Sequence, residues 1–229
     1  SSAASDVYKR QPLDRVDGVA KVTGTARYAG EYPQDGLLYA SVVSSTVACG
    51  RVLRIDSTRA LQVPGVVCVL DHNHRPRISS YDDDYSDADS AEGAPFRPLF
   101  NDRVLYSGQP LALVVAESLE LARYAGSLIH IEYHTQPHQT DLLAVLEQAY
   151  PAPAQTPEPR GDFAGQFANA PITVDATYTT PNEHHNPMEP HASTVFYKVD
   201  GTLEIHDKTQ GTQNCQDYLH KVLSLIHIS

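Results

Sequence analysis

Cysteine is scarce in these 229 residues: Cys49, Cys68 and Cys215 are far apart, odd in number and form no CxxC pair. That excludes a disulfide framework and offers no zinc or iron–sulfur ligand pattern, so the three thiols are expected to be buried. Basic residues are in deficit as well, 17 against 28 acidic ones, for a net charge of -11. So acidic a chain lacks the general attraction to a phosphate backbone, which excludes nucleic acid as a partner. No apolar run approaches the ~18 residues of a membrane span. The N-terminus has no basic-then-apolar secretory layout. Neither the GxGxxG fingerprint nor the P-loop pattern occurs, and no serine or cysteine sits in a nucleophile elbow. The expectation is a protein of a reducing compartment, the cytoplasm, with export alongside a partner into the periplasm as the alternative.

What is present is ordinary globular composition, 41% apolar and 20% charged, enough for one large domain or two small ones. The two ends differ from the rest. Residues 1–11 (SSAASDVYKRQ) and 223–229 (LSLIHIS) lack the patterning of their neighbours and resemble translated sequencing-adapter sequence. They are set aside as foreign tails, and the native stretch is expected to run from about Pro12 to Val222 within a longer protein.

The segment from Asp14 to Gly24 sustains neither a helical nor a strand period and reads as an ordered lead-in loop or a tail. Strands are expected at Leu38 to Val43, Val52 to Ile55 and Val66 to Leu70, with a short helix from Ser57 to Gln62 begun by Asp56 as N-cap. A mixed sheet with helices follows. Residues from Arg75 to Pro98 carry Asp82, Asp83, Asp84, Asp87, Asp89 and Glu92 among serines and tyrosines, which reads as a solvated insertion. The glycine and terminal glutamate of an EF-hand calcium loop are missing there.

Gly108-Gln109-Pro110 then turns into a strand at Leu111 to Ala116, apolar enough to be covered on both faces. Ser118 caps a helix through Leu119, Leu121 and Ala125, and Leu128 to Tyr133 returns as a strand, a strand-helix-strand unit. Four prolines between Tyr150 and Arg160 mark a linker and a domain boundary. Beyond it come a short helix at Asp162 to Ala168 and a strand at Ile172 to Tyr178. A hairpin follows, with strands Ser193 to Val199 and Leu203 to Thr209 around Asp200-Gly201, and then a helix from Gly211 to Val222.

Glu183, His184, His185 and His191 have the chemistry of zinc ligands. Their spacing fits no standard zinc pattern, and Pro187 and Pro190 prevent the regular helix of an HExxH site. Hydrogen-bonded positioning of a loop is the expected role, and no residue is assigned to metal. A histidine-dependent metalloenzyme is kept as an alternative.

Three runs carry a resemblance: Arg15-Val16-Asp17-Gly18 with Lys21-Val22-Thr23-Gly24 and Ala26-Arg27-Tyr28-Ala29; Gly108-Gln109-Pro110-Leu111-Ala112-Leu113-Val114-Val115-Ala116-Glu117; and Asn186-Pro187-Met188-Glu189-Pro190-His191-Ala192. In this order they resemble the molybdenum-binding large subunits of the xanthine dehydrogenase/aldehyde oxidase family. The closest likeness is to the bacterial branch in which iron–sulfur, FAD and molybdenum parts are three polypeptides. The resemblance implies an α+β fold: a lead-in and α/β hammerhead domain over residues 12–149, its hammerhead from about Val22 to Tyr133, a linker at 150–160, and the beginning of a molybdopterin-binding domain at 161–222.

It also implies a molybdenum–molybdopterin cytosine dinucleotide cofactor. The reaction would be oxidation of aldehydes or N-heterocycles with water as oxygen source, with iron–sulfur clusters and FAD on partner subunits of a heterotrimer or dimer of heterotrimers. In the family a glutamine just after the second hairpin strand approaches the metal's oxo ligand, and Gln210 with Gly211 stands in that place. A neutral carboxamide can donate to an oxo oxygen without the repulsion that a carboxylate would bring. Met188, Glu189, Pro190 and His191 are the expected scaffold of the site. No catalytic residue is expected in this stretch, because the family's general base and its glycine-rich phenylalanine motif both follow Gln210. This stretch alone is therefore expected to be inactive. A non-catalytic binding module built on the hammerhead is the second alternative.

Overall fold

The structure is a computed structural model and describes residues 14–76, 97–150 and 160–223. Most of the acidic stretch, the calcium-loop reading that belonged to it, the linker at 151–159 and both terminal tails lie outside the described residues; Leu223, assigned above to a tail, closes the last helix. The chain forms two compact units. Among the described residues, one spans Asp35–His184 and continues from Gln213; the other joins the N-terminal residues up to Gln34 with His185–Thr212.

In the first unit the strands are β1 (Tyr39–Ser44), β2 (Gly50–Asp56), β3 (Val66–Asp71), β4 (Arg103–Val104), β5 (Pro110–Ala116) and β6 (His130–Thr135). The helices α2 (Thr58–Leu61) and α3 (Leu119–Ser127) lie between them in sequence; a short 3-10 helix spans Leu143–Gln148, and α4 spans Phe163–Asn169. The strands form two antiparallel sheets, ordered β1-β5-β3 and β4-β2-β6. This replaces the mixed sheet expected above. The expected strand, helix and strand are present in that order at Pro110–Ala116, Leu119–Ser127 and His130–Thr135, with β5 and β6 in different sheets.

The apolar run of β5 is explained by both of its faces. Val114, fully buried, packs with Ala60 of α2 and Ala125 of α3, while Leu111 on the opposite face packs with Val52 and Val104 of the second sheet. A strict period-2 pattern is lost because side chains pack on both faces, with Leu113 and Val115 half-buried and the rest of Leu111–Ala116 buried. Each such aliphatic side chain contributes about 1.5–3 kcal/mol by leaving water. Small residues at Ala122 and Ala125 hold α3 against this sheet. Ser118 caps it as expected, its hydroxyl accepting the Leu121 N–H at 3.2 Å. For α2 the N-cap position falls to Ser57, and Asp56 accepts the Thr58 N–H at 3.0 Å from one residue earlier.

The Gly108-Gln109-Pro110 run is structural. Gln109 is buried; its side-chain oxygen accepts the Leu105 N–H at 2.7 Å and its amide nitrogen donates to the Arg103 carbonyl at 2.6 Å. One side chain thus ties β4 to the start of β5. Gln109→Leu is expected to leave two backbone groups without partners and to cost about 2 kcal/mol in a urea melt of this chain. An unchanged midpoint would contradict that role.

Several sequence expectations need correction. The lead-in contains a turn of helix, α1 (Gly18–Val22), whose last turn is tied by the Thr23 hydroxyl donating to the Val19 carbonyl at 2.7 Å. At its start Arg15 and Lys21 pair with Asp17 and hold that carboxyl well below the usual carboxylate range. The stretch from Ile172 to Tyr178 forms no strand: Ile172, Val174 and Tyr178 alternate but stand exposed, with no described strand to pair with. The cysteines are half-buried thiols, not fully buried ones.

Candidate functional site

The second unit is built on the hairpin β7 (Ser193–Tyr197) and β8 (Leu203–Asp207). Its turn is wider than the Asp200-Gly201 signal implied, since the last paired residues are Tyr197 and Leu203. Gly201 takes the left-handed φ of 86° as expected. Asp200 accepts the Thr202 N–H at 3.0 Å and its hydroxyl at 2.7 Å, which lowers the Asp200 pKa. Lys198 and His206 both contact Glu204, at 2.6 and 2.8 Å, and hold that carboxyl below its ordinary range.

Register decides what meets what. Ser193 pairs with Asp207 at the open end, so the chain that enters β7 and the chain that leaves β8 lie together there. Ser193 donates a short hydrogen bond to Asp207, and the Lys208 ammonium lies 3.4 Å from the His191 imidazole. Met188 and Pro190 are exposed, and Glu189 is half-buried. Gln210 leaves the hairpin two residues after Lys208, exposed and with no hydrogen bond to another described residue. Gly211 is half-buried, and its N–H donates to the Thr209 hydroxyl at 3.2 Å. A helix, α5 (Thr212–Leu223), follows.

The residues that sequence reasoning missed are Ala29 and Thr194. Glu189 accepts the Ala29 N–H at 2.9 Å, and the buried Thr194 hydroxyl donates to the Ala29 carbonyl at 2.7 Å. Both polar atoms of one backbone residue are therefore held by the hairpin side of the unit. Tyr32 stacks on His206 with ring centroids 3.7 Å apart, and Phe196 meets the same imidazole edge-on at 5.8 Å. The end of the first quoted run and the whole of the third thus fold as one body. Ala29 closes the first of these runs and Thr194 lies two residues past the third, and no local pattern marks either, because the partners lie 160 and 165 residues apart.

His184 and His185 are exposed, and Asn186 takes a left-handed φ of 37° immediately before Pro187. Among the described residues no group of three or more His, Cys, Asp or Glu side chains is arranged to hold a metal ion. Among them, too, no helix is long and apolar enough to cross a membrane.

Two small three-stranded antiparallel sheets thus come first in the chain, and a two-stranded hairpin follows them. Residues 23–137 match the aldehyde oxidase and xanthine dehydrogenase a/b hammerhead domain, and residues 148–227 match the molybdopterin cofactor-binding domain. The chain belongs to the aldehyde oxidase and xanthine dehydrogenase family. It is 35% identical over 219 residues to the aldehyde oxidoreductase molybdenum-binding subunit PaoC of Escherichia coli O157:H7, covering 94% of this chain and 28% of that protein. It is 30% identical over 203 residues to the nicotinate dehydrogenase large molybdopterin subunit of Eubacterium barkeri, covering 86% of this chain and 46% of that one. Among solved structures, the aldehyde oxidoreductase of Desulfovibrio gigas superposes with a TM-score of 0.73 at 25% identity, over 92% of this chain and 25% of that one. The chain therefore spans about a quarter to a half of the length of these relatives.

The donor set suits one contact with such a cofactor. Gln210 offers two N–H donors and no charge, free of competition from described neighbours. The Thr209 hydroxyl is engaged with Gly211 instead.

Proposed function

We propose that the complete protein is a molybdenum hydroxylase subunit that oxidises aldehydes or N-heterocycles with water as the oxygen source. The cofactor in this reading is molybdenum–molybdopterin cytosine dinucleotide, and electrons pass to iron–sulfur clusters and FAD on partner subunits. The observation that carries the reading is the exposed Gln210 carboxamide at the open end of the hairpin, two residues before a helix, in a chain with both family domains in order. The substrate classes follow the names of the relatives, one an aldehyde oxidoreductase and another a nicotinate dehydrogenase. We take residues 12–149 as lead-in and hammerhead and 161–222 as the first part of the cofactor-binding domain.

Bound, the cofactor supplies the two-electron oxidising centre. The role of this chain is placement. Gln210 offers a hydrogen bond to an oxygen of the cofactor, Gly211 lets the backbone approach closely, and the Met188 to His191 run holds the hairpin end from which both project. None of these groups removes a proton from substrate, and this stretch by itself is proposed to turn nothing over.

Metal content tests the assignment. The chain as it stands, purified from a host that makes the cofactor, is expected to carry molybdenum far below one equivalent by plasma mass spectrometry. The full-length protein is expected to carry close to one. Stoichiometric molybdenum on the short chain would contradict a one-walled site.

A further inference from the structure

We infer that Glu189 is a positioning residue that acts on Gln210 through the N-terminal segment, by clasping Ala29 between itself and Thr194. The clasp is visible without any cofactor; its meaning for the site rests on the proposed role of Gln210.

Ala29 is buried and bound at both polar atoms, its N–H by the Glu189 carboxylate at 2.9 Å and its carbonyl by the buried Thr194 hydroxyl at 2.7 Å. A backbone residue held in this way cannot slide along the hairpin without breaking two bonds, one of them to a charged acceptor. The neighbouring contact leaves little slack. A Cβ at Gly30 would lie 3.2 Å from the Cβ of Ala192, so the two segments approach closely next to the clasp. Tyr32 then stacks on His206, the residue paired with Thr194 across the hairpin. The N-terminal segment therefore touches β7 and β8 together.

The consequence falls on the open end. Glu189 stands four positions before Ser193, Gln210 stands three after Asp207, and Ser193 is paired and hydrogen-bonded to Asp207. His191 and Lys208 repeat the contact one step further out. An isolated two-stranded hairpin frays at its open end. Here that end is fastened by the N-terminal segment, and the fastening lies at the base of Gln210. Glu189 needs no contact with substrate or cofactor for this. Its requirement is for an acceptor oxygen aimed at the Ala29 N–H.

Hydrogen exchange of this chain, read by mass spectrometry on peptides covering residues 26–32, 203–210 and, as a control, 110–127, tests the clasp. Glu189→Ala is expected to speed exchange in the first two peptides on the order of tenfold and to leave the control unchanged. Glu189→Gln is expected to restore slow exchange, because a carboxamide oxygen accepts the same bond; a general loss of folding would not be rescued in that way. If Glu189→Ala does not fold, Thr194→Val, which keeps the side-chain shape and removes the hydroxyl, gives the decision with the same two peptides. Unchanged exchange at 203–210 in the folded variants, or a Glu189→Gln protein as fast as the alanine variant, would overturn the inference. Failure of the Gln210 assignment would look different: the exchange pattern would stand while a Gln210 variant of the full-length protein kept its molybdenum and its turnover.

Discussion

Gln210→Glu in the full-length, cofactor-loaded protein is expected to lower turnover on the order of a hundredfold, the usual cost of losing one donor aimed at a negatively charged oxygen in a water-poor site. The substitution keeps the shape and removes both N–H donors. It also places a carboxylate next to an oxygen-rich metal centre, where like charges repel most strongly if water is excluded. Because Gln210 is exposed and bonded to no other described residue, the change should cost the fold almost nothing, and the melting temperature of the short chain should not move. That separates a local effect from a general one. Molybdenum content and kcat should be measured on the same preparation. Normal loading with normal turnover would remove Gln210 from the site.

Gly50→Ala is expected to be the most damaging single substitution in the first unit. Gly50 has a φ of 151° and is paired on both sides, with Val104 of β4 and Thr135 of β6. A Cβ there would stand 2.2 Å from the carbonyl oxygen of His134. That oxygen belongs to the backbone of the neighbouring strand and has no rotamer by which to move aside. Relief requires β6 to shift along its length or β2 to abandon its dihedral, and the penalty is roughly 3 kcal/mol or more. A urea melt followed by circular dichroism should show the loss directly. A midpoint equal to that of the parent chain would mean that the β2–β6 approach is looser than described.

These expectations show where sequence reading succeeds. Ser118 declared the start of α3 through a local rule that depends on residues three apart, and Asp200-Gly201 declared the hairpin through a backbone conformation that few other residues accept. The apolar run of β5 reported correctly that both faces are covered. It could not report what covers them. Pairing is a non-local choice, and nothing within Leu128 to Tyr133 tells the strand to join β2 instead of β5. The same limit applies to Ile172 to Tyr178, whose alternation is real and whose partner is not among the described residues.

The candidate site divides in the same way. Gln210 and the Met188 to His191 run were legible as residues through resemblance, and the hairpin register put them at one end of one element. The histidines at 184 and 185 drew attention by chemistry alone and stand exposed in the structure. Ala29 closes the first of the three runs, but its part in the contacts was illegible, since a peptide group and not its side chain plays it. Gln109 was quoted as a motif residue and proved to be a buried tie between β4 and β5.

The most direct test is a crystal structure of the full-length protein with anomalous data collected at the molybdenum edge. The predicted result is a single metal peak with the Gln210 carboxamide nitrogen within hydrogen-bonding distance of one of its ligands, and the Glu189 carboxylate still on the Ala29 N–H. A metal site with Gln210 turned to bulk water, or one ringed by His184 and His185, would contradict the account.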